Sequence, residues 1–517
     1  MATPKEKLAA SMTQLQNLQK GGRRVFRSKE LTRVHRERLL QHGFIREVMK
    51  GWLISSNPGA DPGDTTPWFS SFWEFCARYC HERFGHEWRL SPEQSLLLHA
   101  ENRVIPKQVI IFSTKGANNT LDLPFGMSLY DLKQKQMPPE ADLTVKEGLI
   151  LFSAEAALIR VSEAFFVRSP LEAQVVLSGI RDVSHVLGRL LDGGHSAIAG
   201  RLAGAFRRID RADFANEILA AMKAAGYDVR EKDPFMPQQT LAEVNSFAAP
   251  IVGRIQAMWE SFRRTVIEVF PAPPGLPKDR EAYLRFIDEI YRSDAYHSLS
   301  IEGYRVSPNL IERVRSGAWD PENLNEDRDS RDAMAARGYW QAFQLVKGAV
   351  AEIIGGGNPG ALARTAHRDW YRELFQPCVA TGLIPPSALA GYRNDAVFLQ
   401  GSRHVPPRRE AVGEAMSSLF NLLEEESEPS VRAVLAHWLF GYIHPYLDGN
   451  GRMARFLMNA MLASGGYPWT VISVDDRNGY LTALESASID LDIKPFTMFV
   501  AERVERSLYH KEASRKL

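Results

Sequence analysis

Residues 431–444 read VRAVLAHWLFGYIH, and a helix built from them is apolar almost all the way round. Such a helix has no face to give to water, so it has to be the buried centre of a helical bundle. Suitable neighbours are present. REAYLRFIDEIYRSDAYHSLSIEG, AMAARGYWQAFQLVKGAVAEII and AVGEAMSSLFNLLEEE all carry apolar residues three and four apart. From about Pro250 onward the chain is therefore expected to be nearly all helical. GGGNPG at 355–360 lacks the Lys-Ser/Thr of a phosphate loop and reads as a turn between helices.

Pro445 cannot extend the central helix, so the helix should end at His444 and present the imidazole at its C-terminus. There the helix dipole favours the imidazolium form, which predicts a histidine ready to accept a proton. Gly449-Asn450-Gly451 reads as a tight turn whose glycines let successive N–H groups point inward as an anion cradle. A new helix near Arg452 would add its positive end to the same spot. Arg452 and Arg455 are three apart and share a face, and the planar guanidinium suits phosphate because it binds two oxygens at once. Asp448 is placed for a hard cation such as Mg²⁺ shared with phosphate. A base, a metal carboxylate, an anion cradle and two arginines describe phosphoryl or nucleotidyl transfer without a covalent enzyme intermediate.

The same twelve residues, HPYLDGNGRMAR (444–455), resemble the Fic signature His-Pro-Phe-x-Asp/Glu-Gly-Asn-Gly-Arg-x-x-Arg, with Tyr446 in place of Phe. The resemblance covers about residues 240–517. It implies an all-α domain that transfers AMP from ATP to a protein hydroxyl. It further implies that His444 deprotonates that hydroxyl and that Asp448 holds Mg²⁺. Asn450 and the amides of Gly449 and Gly451 would bind the α- and β-phosphates, Arg452 the β-phosphate side, and Arg455 the γ-phosphate. The intact Gly451 resembles the AMP-transferring members. YRNDAVFLQGSRHVPP (392–407) resembles the family's flap, a β-hairpin in which Val397, Phe398 and Leu399 would form an edge strand that aligns a target segment. SLSIEG (298–303) fits the inhibitory motif Ser/Thr-x-x-x-Glu-Gly through Ser298, Glu302 and Gly303. That fit implies an inhibitory helix ahead of the core, with Glu302 on Arg455 and Ser298 bonded to the turn around Asn450.

The first 50 residues hold twelve Lys/Arg against four Glu, an excess of eight in a chain whose net charge is only +1. So local a basic block is an electrostatic footprint for nucleic acid. Within it the sequence predicts a helix from Lys5 to Lys20, a short helix capped by Ser28 through Val34, a second helix from His35 to Gln41, and two strands turning at Lys50-Gly51. That is the order of a winged helix-turn-helix, with Arg33, Arg36, Arg38 and Lys50 as candidate DNA-binding residues. RVFRSKELTRVHRERLLQHGFIREVMKGWLIS and the following LSPEQSLLLHAENRVIPKQVIIFS resemble the AbiEi-type antitoxins, which implies an operator-binding N-terminal domain. SSNPGADPGDTTP (55–67) reads as a linker. In the mixed region behind it, helices are expected at WFSSFWEFCARYCHERFG, at SPEQSLLLHAEN capped by Ser91, through LTVKEGLILFSAEAALIRVS and at DFANEILAAMKAAGYDV, with a strand at KQVIIFSTK. Three regions result: 1–67 a winged helix, 68–238 a small α/β region, and 239–517 the Fic-like domain, in a mainly α chain.

No stretch of about 18 apolar residues predicts a membrane span. The N-terminus lacks the apolar core of a signal peptide, and Cys76, Cys80 and Cys378 are too few and too odd in number for a disulfide framework. A cytoplasmic protein with core thiols is expected. Its partners would be ATP, a hydroxyl-bearing protein target or the chain itself, and DNA, with a homodimer left open. Two rival functions remain: a hydrolase that removes AMP with Glu302 positioning water, and a DNA-binding regulator whose C-terminal half senses nucleotide.

Overall fold

The computed structural model describes residues 3–59, 64–236, 249–318 and 331–515, with side chains through 508. The 238/239 boundary and the middle of the 55–67 linker lie outside the described residues. Two compact units emerge, one of Met1–Pro250 with Phe398–Val405, the other of Ile251–Val397 with Pro406–Leu517.

The first unit opens with a helix, Pro4–Leu18, closed at its start by a reciprocal Thr3–Glu6 capping box. A strand, Val25–Arg27, follows, then a single 3₁₀ turn, Ser28–Glu30, a helix, Arg33–Gln41, and strands Ile45–Met49 and Trp52–Ser55. The short helix expected through Val34 is absent. Thr32 instead caps the helix that begins at Arg33, accepting the His35 N–H at 3.5 Å. The strand Val25–Arg27 was not foreseen, and it pairs antiparallel with Trp52–Ser55 to complete a three-stranded sheet. Leu15, Phe26, Leu39, Ile45 and Leu53 form the core beneath it. The other face of the sheet shares a second core with Trp68, Phe72 and Phe75 of the helix Thr66–Phe84, so residue 67 does not separate two cores.

Behind that helix lies a four-stranded sheet in the order Trp88–Leu90, Gln108–Ser113, Met127–Lys133, Asn119–Leu123, with a parallel central pair. Val109, Ile111 and Ser113 are buried on one face, as the alternation predicts. Ser91 caps the helix Pro92–His99 by accepting from the Gln94 N–H. The helix expected through 143–162 is instead a hairpin, Leu143–Lys146 against Leu149–Phe152, followed by a short helix, Ala154–Arg160. Glu147 and Gly148 both have positive φ (53° and 78°), which turns the chain in two residues and lets the β-prone LTVK and LILF pair. Helices Pro170–Gly179, Ser184–Gly193, Ser196–Arg208 and Ala212–Ala224 complete the unit.

The second unit is helical. Its centre is Pro429–Ile443, in which every described side chain from Ser430 to Ile443 is buried except at Gly441. Polar atoms on this helix find internal partners: Trp438 donates to Ser488 Oγ at 3.0 Å, and His437 Nε2 lies 2.6 Å from the Tyr480 hydroxyl. Around it stand Pro250–Val269, Arg280–Ile301, Arg331–Ile354, Pro359–Ala380, Val412–Glu425, Asn450–Ala463, Arg477–Ile489 and Lys494–Arg515. GGGNPG is the turn it was expected to be, with Asn358 capping the helix that follows. The hairpin flap is not formed. Residues 396–399 run without strand pairing, and a turn closes from the Ser402 N–H to the Leu399 carbonyl at 3.1 Å. All three cysteines are buried free thiols, and no helix among the described residues is long and apolar enough to cross a membrane.

Leu439 is fully buried in the central helix. Leu439→Ala should cost about 2–5 kcal/mol, read as a lower midpoint in urea unfolding with an unchanged slope.

Candidate active site

The central helix ends where proline requires, and His444 closes it in a left-handed conformation (φ 52°, ψ 62°) that a non-glycine residue rarely adopts. The strain is held by Arg393, which sequence reasoning left out although it lies in the stretch assigned to the flap. Buried, Arg393 donates through Nε to the His444 carbonyl (2.8 Å), through Nη1 to Asp395 (2.9 Å) and through Nη2 to Pro407 (2.5 Å). Its backbone N–H donates to the Pro445 carbonyl at 2.8 Å. Only its proximity to Asn394-Asp395 and its charge were visible in the sequence, and neither reports a donor aimed at a helix end.

The His444 imidazole puts Nδ1 3.3 Å from the Gly441 carbonyl, which leaves Nε2 as the basic nitrogen. The expected preference for imidazolium is overturned. Burial, reinforced by the charge of Arg393, pulls its pKa from 6.5 to about 4, outweighing the Gly441 carbonyl and the carboxylates of Glu302 and Asp448. The helix end is desolvated, and desolvation costs a charge more than the dipole returns.

The turn that follows is clamped by Asn450. Its Oδ1 accepts the Tyr446 N–H at 2.9 Å and its Nδ2 donates to the Tyr446 carbonyl at 2.8 Å. The Asn450 side chain thus shapes the loop, a role beyond the phosphate binding implied for it. The Tyr446 ring stacks on Tyr371 with centroids 3.7 Å apart, so an aromatic ring is what the position requires. Gly449 has φ 80° and caps the next helix, and a Cβ there would lie 2.6 Å from the Phe375 ring. At Gly451 a Cβ would collide with Oε1 of Glu302. The inhibitory-motif glutamate thus sits directly over the start of the helix Asn450–Ala463, where an anion belongs.

Arg455 is buried and receives Glu302 at 2.7 Å through Nη2. Its Nε donates to Ser298 Oγ at 2.8 Å and its Nη2 to the Ser298 carbonyl at 3.0 Å, while Nη1 has no hydrogen-bond partner. Ser298 therefore steadies Arg455 itself, not the turn around Asn450 as implied. Gly303 (φ 85°) lets the chain leave the helix immediately after Glu302. Burial opposes the charge of Glu302, but Arg455 and then Arg452 outweigh it and hold the carboxyl below its ordinary range. Arg452 is only 1% exposed, stacked between Tyr304 and Phe375 at 5.0 Å from each ring centroid. Its Nε and Nη2 have no hydrogen-bond partner, and the 3.5 Å approach to Asp448 is an ion pair without a directed bond. Tyr304 and Phe375 were missed; a guanidinium sandwiched between rings is a tertiary arrangement that residue spacing does not report.

Asp448 is exposed, and its Oδ1 accepts the Gly449 N–H at 2.6 Å. Among the described residues no three acidic, histidine or cysteine side chains group as a metal cage. A single carboxylate beside an anion cradle suits Mg²⁺, which takes most of its ligands from phosphate and water. The flap residues part company: Val397 belongs to the second unit, while Phe398 and Leu399 group with the first, where Arg24 lies 4.9 Å from the Phe398 ring. Of the candidate DNA-binding residues, Arg33 and Lys50 are exposed, with Arg33 paired to Glu37 at 2.7 Å. Arg36 donates to the Ser28 carbonyl at 3.3 Å, and Arg38 to the Lys7 carbonyl and Ser11 Oγ at 2.8 Å each, so both of these brace the fold.

Three histidines of this unit, His437 and His367 buried and His444 partly so, are held below 6.5, chiefly by desolvation: His444 to about 4, His437 to about 3 and His367 to about 4. Each folded pKa lies below the unfolded one, so the unfolded chain binds more protons in that window. Stability should be whole above pH 6.5 and be lost as pH falls toward 4. Melting temperature measured against pH should show this acid limb, with a shallower slope in His437→Gln.

The sequence profile of the Fic/DOC family matches residues 361–462. A protein named "Protein adenylyltransferase Fic" from Nematostella vectensis is 42% identical over 249 residues, 47% of this chain and 52% of the relative. One of the same name from Drosophila yakuba is 35% identical over 228 residues, 43% of this chain and 41% of the relative. The chain thus spans about half the length of the curated relatives it matches. The solved structure "Fic-1 (aa134 - 508) from C. elegans" aligns with 66% of this chain and 89% of its own, at 18% identity and a TM-score of 0.38. With the signature turn between two buried helices and the family match over it, the C-terminal part of this chain carries a Fic/DOC-family domain at residues 361–462.

Proposed function

We propose that the chain is a protein adenylyltransferase that moves AMP from ATP to a hydroxyl side chain of a protein, its own chain included, and that Glu302 holds it in an inhibited state. The observation that carries this reading is the Glu302 carboxylate over Gly451 on Arg455, an anion in the anion cradle, beside an Arg452 whose buried Nε and Nη2 have no hydrogen-bond partner. In the reaction the target hydroxyl oxygen bonds to the α-phosphorus of ATP as the bond to the leaving pyrophosphate breaks. His444 Nε2 takes the hydroxyl proton, and its neutral state at pH 7 leaves that lone pair available. Arg452 and the amides at the start of the helix hold the phosphates, and Arg455 holds the terminal phosphate once Glu302 has left. Asp448 would hold Mg²⁺, which neutralises charge on the phosphates.

The inhibition follows from competition for donors. Glu302 takes the same guanidinium fork that a γ-phosphate needs and adds negative charge where a polyphosphate must sit. Removing AMP with Glu302 positioning water is the alternative direction at this site, and an ATP-free assay on a modified target separates the two.

Auto-labelling from ATP radiolabelled at its α-phosphate tests the reading. Wild type should be nearly silent, Glu302→Gly strongly active, and Glu302→Gly with His444→Ala lower again by about 10²–10⁴-fold. Equal labelling of wild type and Glu302→Gly removes the inhibitory role, and labelling that survives in the double variant places the chemistry elsewhere. Without ATP, Glu302→Gly should melt lower than wild type, since it leaves Arg455 buried without its counter-ion. ATP with Mg²⁺ should raise its melting temperature more than that of wild type.

A second reading applies to the first 55 residues. Helix, strand, 3₁₀ turn, helix and two antiparallel strands make the layout of a winged helix, which supports DNA binding as the AbiEi-type resemblance implies. Of the candidate contacts Arg33 and Lys50 are exposed, as are Lys5, Lys7, Lys20 and Lys29 of the basic block, and Val34 next to Arg33 is 60% exposed on the same helix. Duplex DNA should bind the full chain with a steep salt dependence, and Arg33→Ala with Lys50→Ala should flatten the slope of log affinity against log salt by roughly 2. Salt-insensitive binding would leave the basic block a solvated face.

A further inference from the structure

In the first unit, far along the chain from the Fic signature, Arg89 is 3% exposed on the strand Trp88–Leu90. It forms no ion pair among the described residues. Its Nε has no hydrogen-bond partner, and its Nη1 meets only the thioether of Met137, at 2.9 Å. The guanidinium lies 5.8 Å from the Phe112 ring centroid and 5.3 Å from that of Phe152. Two rings offset part of the cost of burying a cation, but a buried charge without a counter-ion remains the more expensive arrangement.

Arg89 lines a cavity of about 400 Å³. Phe112, Phe152, Met137 and Pro138 supply apolar wall, and Gln134 supplies an amide. Arg160 lies on the wall as well, 5.1 Å from the Phe152 centroid, and is already paired with Asp142 at 2.5 Å. Glu93 is also on the wall but makes no ion pair with Arg89 among the described residues. The cavity therefore has a positive, under-coordinated donor group at its base and an apolar, ring-bearing lining above it. Burial, and next the nearby charge of Arg160, lower the Arg89 pKa to about 10, so it stays charged at neutral pH.

We infer that this cavity is a binding site for a small oxyanion carried on an apolar body, with Arg89 receiving the carboxylate or phosphate head and the Phe112–Phe152 wall receiving the body. The guanidinium offers a fork that matches either head group, and a small ligand fits a cavity of this volume. Nothing in the chemistry proposed for His444 uses these residues.

Calorimetric titration of the full chain with phenyl phosphate and with phenylacetate tests this, with inorganic phosphate and uncharged phenylacetamide as controls. At least one of the two ring-bearing anions should bind saturably, and the tighter of them names the head group. Arg89→Met should weaken that binding by about tenfold or more. This also separates the cavity from the anion cradle at Arg452, which that substitution leaves intact. Gln136→Trp, at an exposed position on the rim, should block entry without touching the core, and it decides the matter if Arg89→Met does not fold. No saturable binding of either anion, or undiminished binding in the variants, overturns the site. Equal affinity for inorganic phosphate or for phenylacetamide overturns the pairing of charged base and apolar wall.

Discussion

A guanidinium taken out of water is costly unless negative charge meets it, and at Arg455 in the second unit a carboxylate does so. Its side chain is buried in the helix that follows the signature turn, and its donors go to Ser298 and Glu302, some 150 residues earlier in the chain. One interaction therefore joins the end of the Arg280–Ile301 helix to the start of Asn450–Ala463. It stabilises the apo fold and fills the anion cradle with the protein's own carboxylate. On the proposed function, a nucleotide that displaces Glu302 would have to replace its charge as well as its volume, which would tie occupancy of the site to the position of one helix end.

The loop between the two buried helices is stiffened from within. Asn450 closes on both backbone groups of Tyr446, Tyr446 stacks on Tyr371, and Arg393 holds the carbonyl of a His444 in a left-handed conformation. Local strain of this kind persists only where the surroundings over-determine it. Here they do so with hydrogen bonds to backbone, so His444 Nε2 is set by the loop and not by a flexible side-chain network. The desolvation that keeps the imidazole neutral comes from the same packing.

Much of this was legible in the chain. An all-round apolar run could only be a buried helix, and Pro445 could only end it at His444. Gly449 and Gly451 read as a tight turn; the structure has positive φ at Gly449 only and puts Gly451 in the first turn of the helix, where a Cβ would meet Glu302. The alternation in QVIIFS matches its buried face, and Ser91 announced a helix start, whereas Ser28 opens only a 3₁₀ turn. Local errors had local causes. LTVKEGLILF has helical spacing but pairs as a hairpin, because Glu147 and Gly148 adopt positive φ. AVFLQ is β-prone yet finds no strand to pair with.

By itself the sequence determined the helices around the signature turn, the turn and the identity of the polar groups near it, because helix periodicity, proline geometry and glycine freedom act over a few residues. Which partner each polar group takes was decided only by tertiary structure. Asn450 clamps its own loop, Ser298 goes to Arg455, and Arg452 is sandwiched by Tyr304 and Phe375. The charge state of His444 was decided there too. Helix position argues for imidazolium, while the depth of burial, a property of the whole packed unit, removes the water that imidazolium needs.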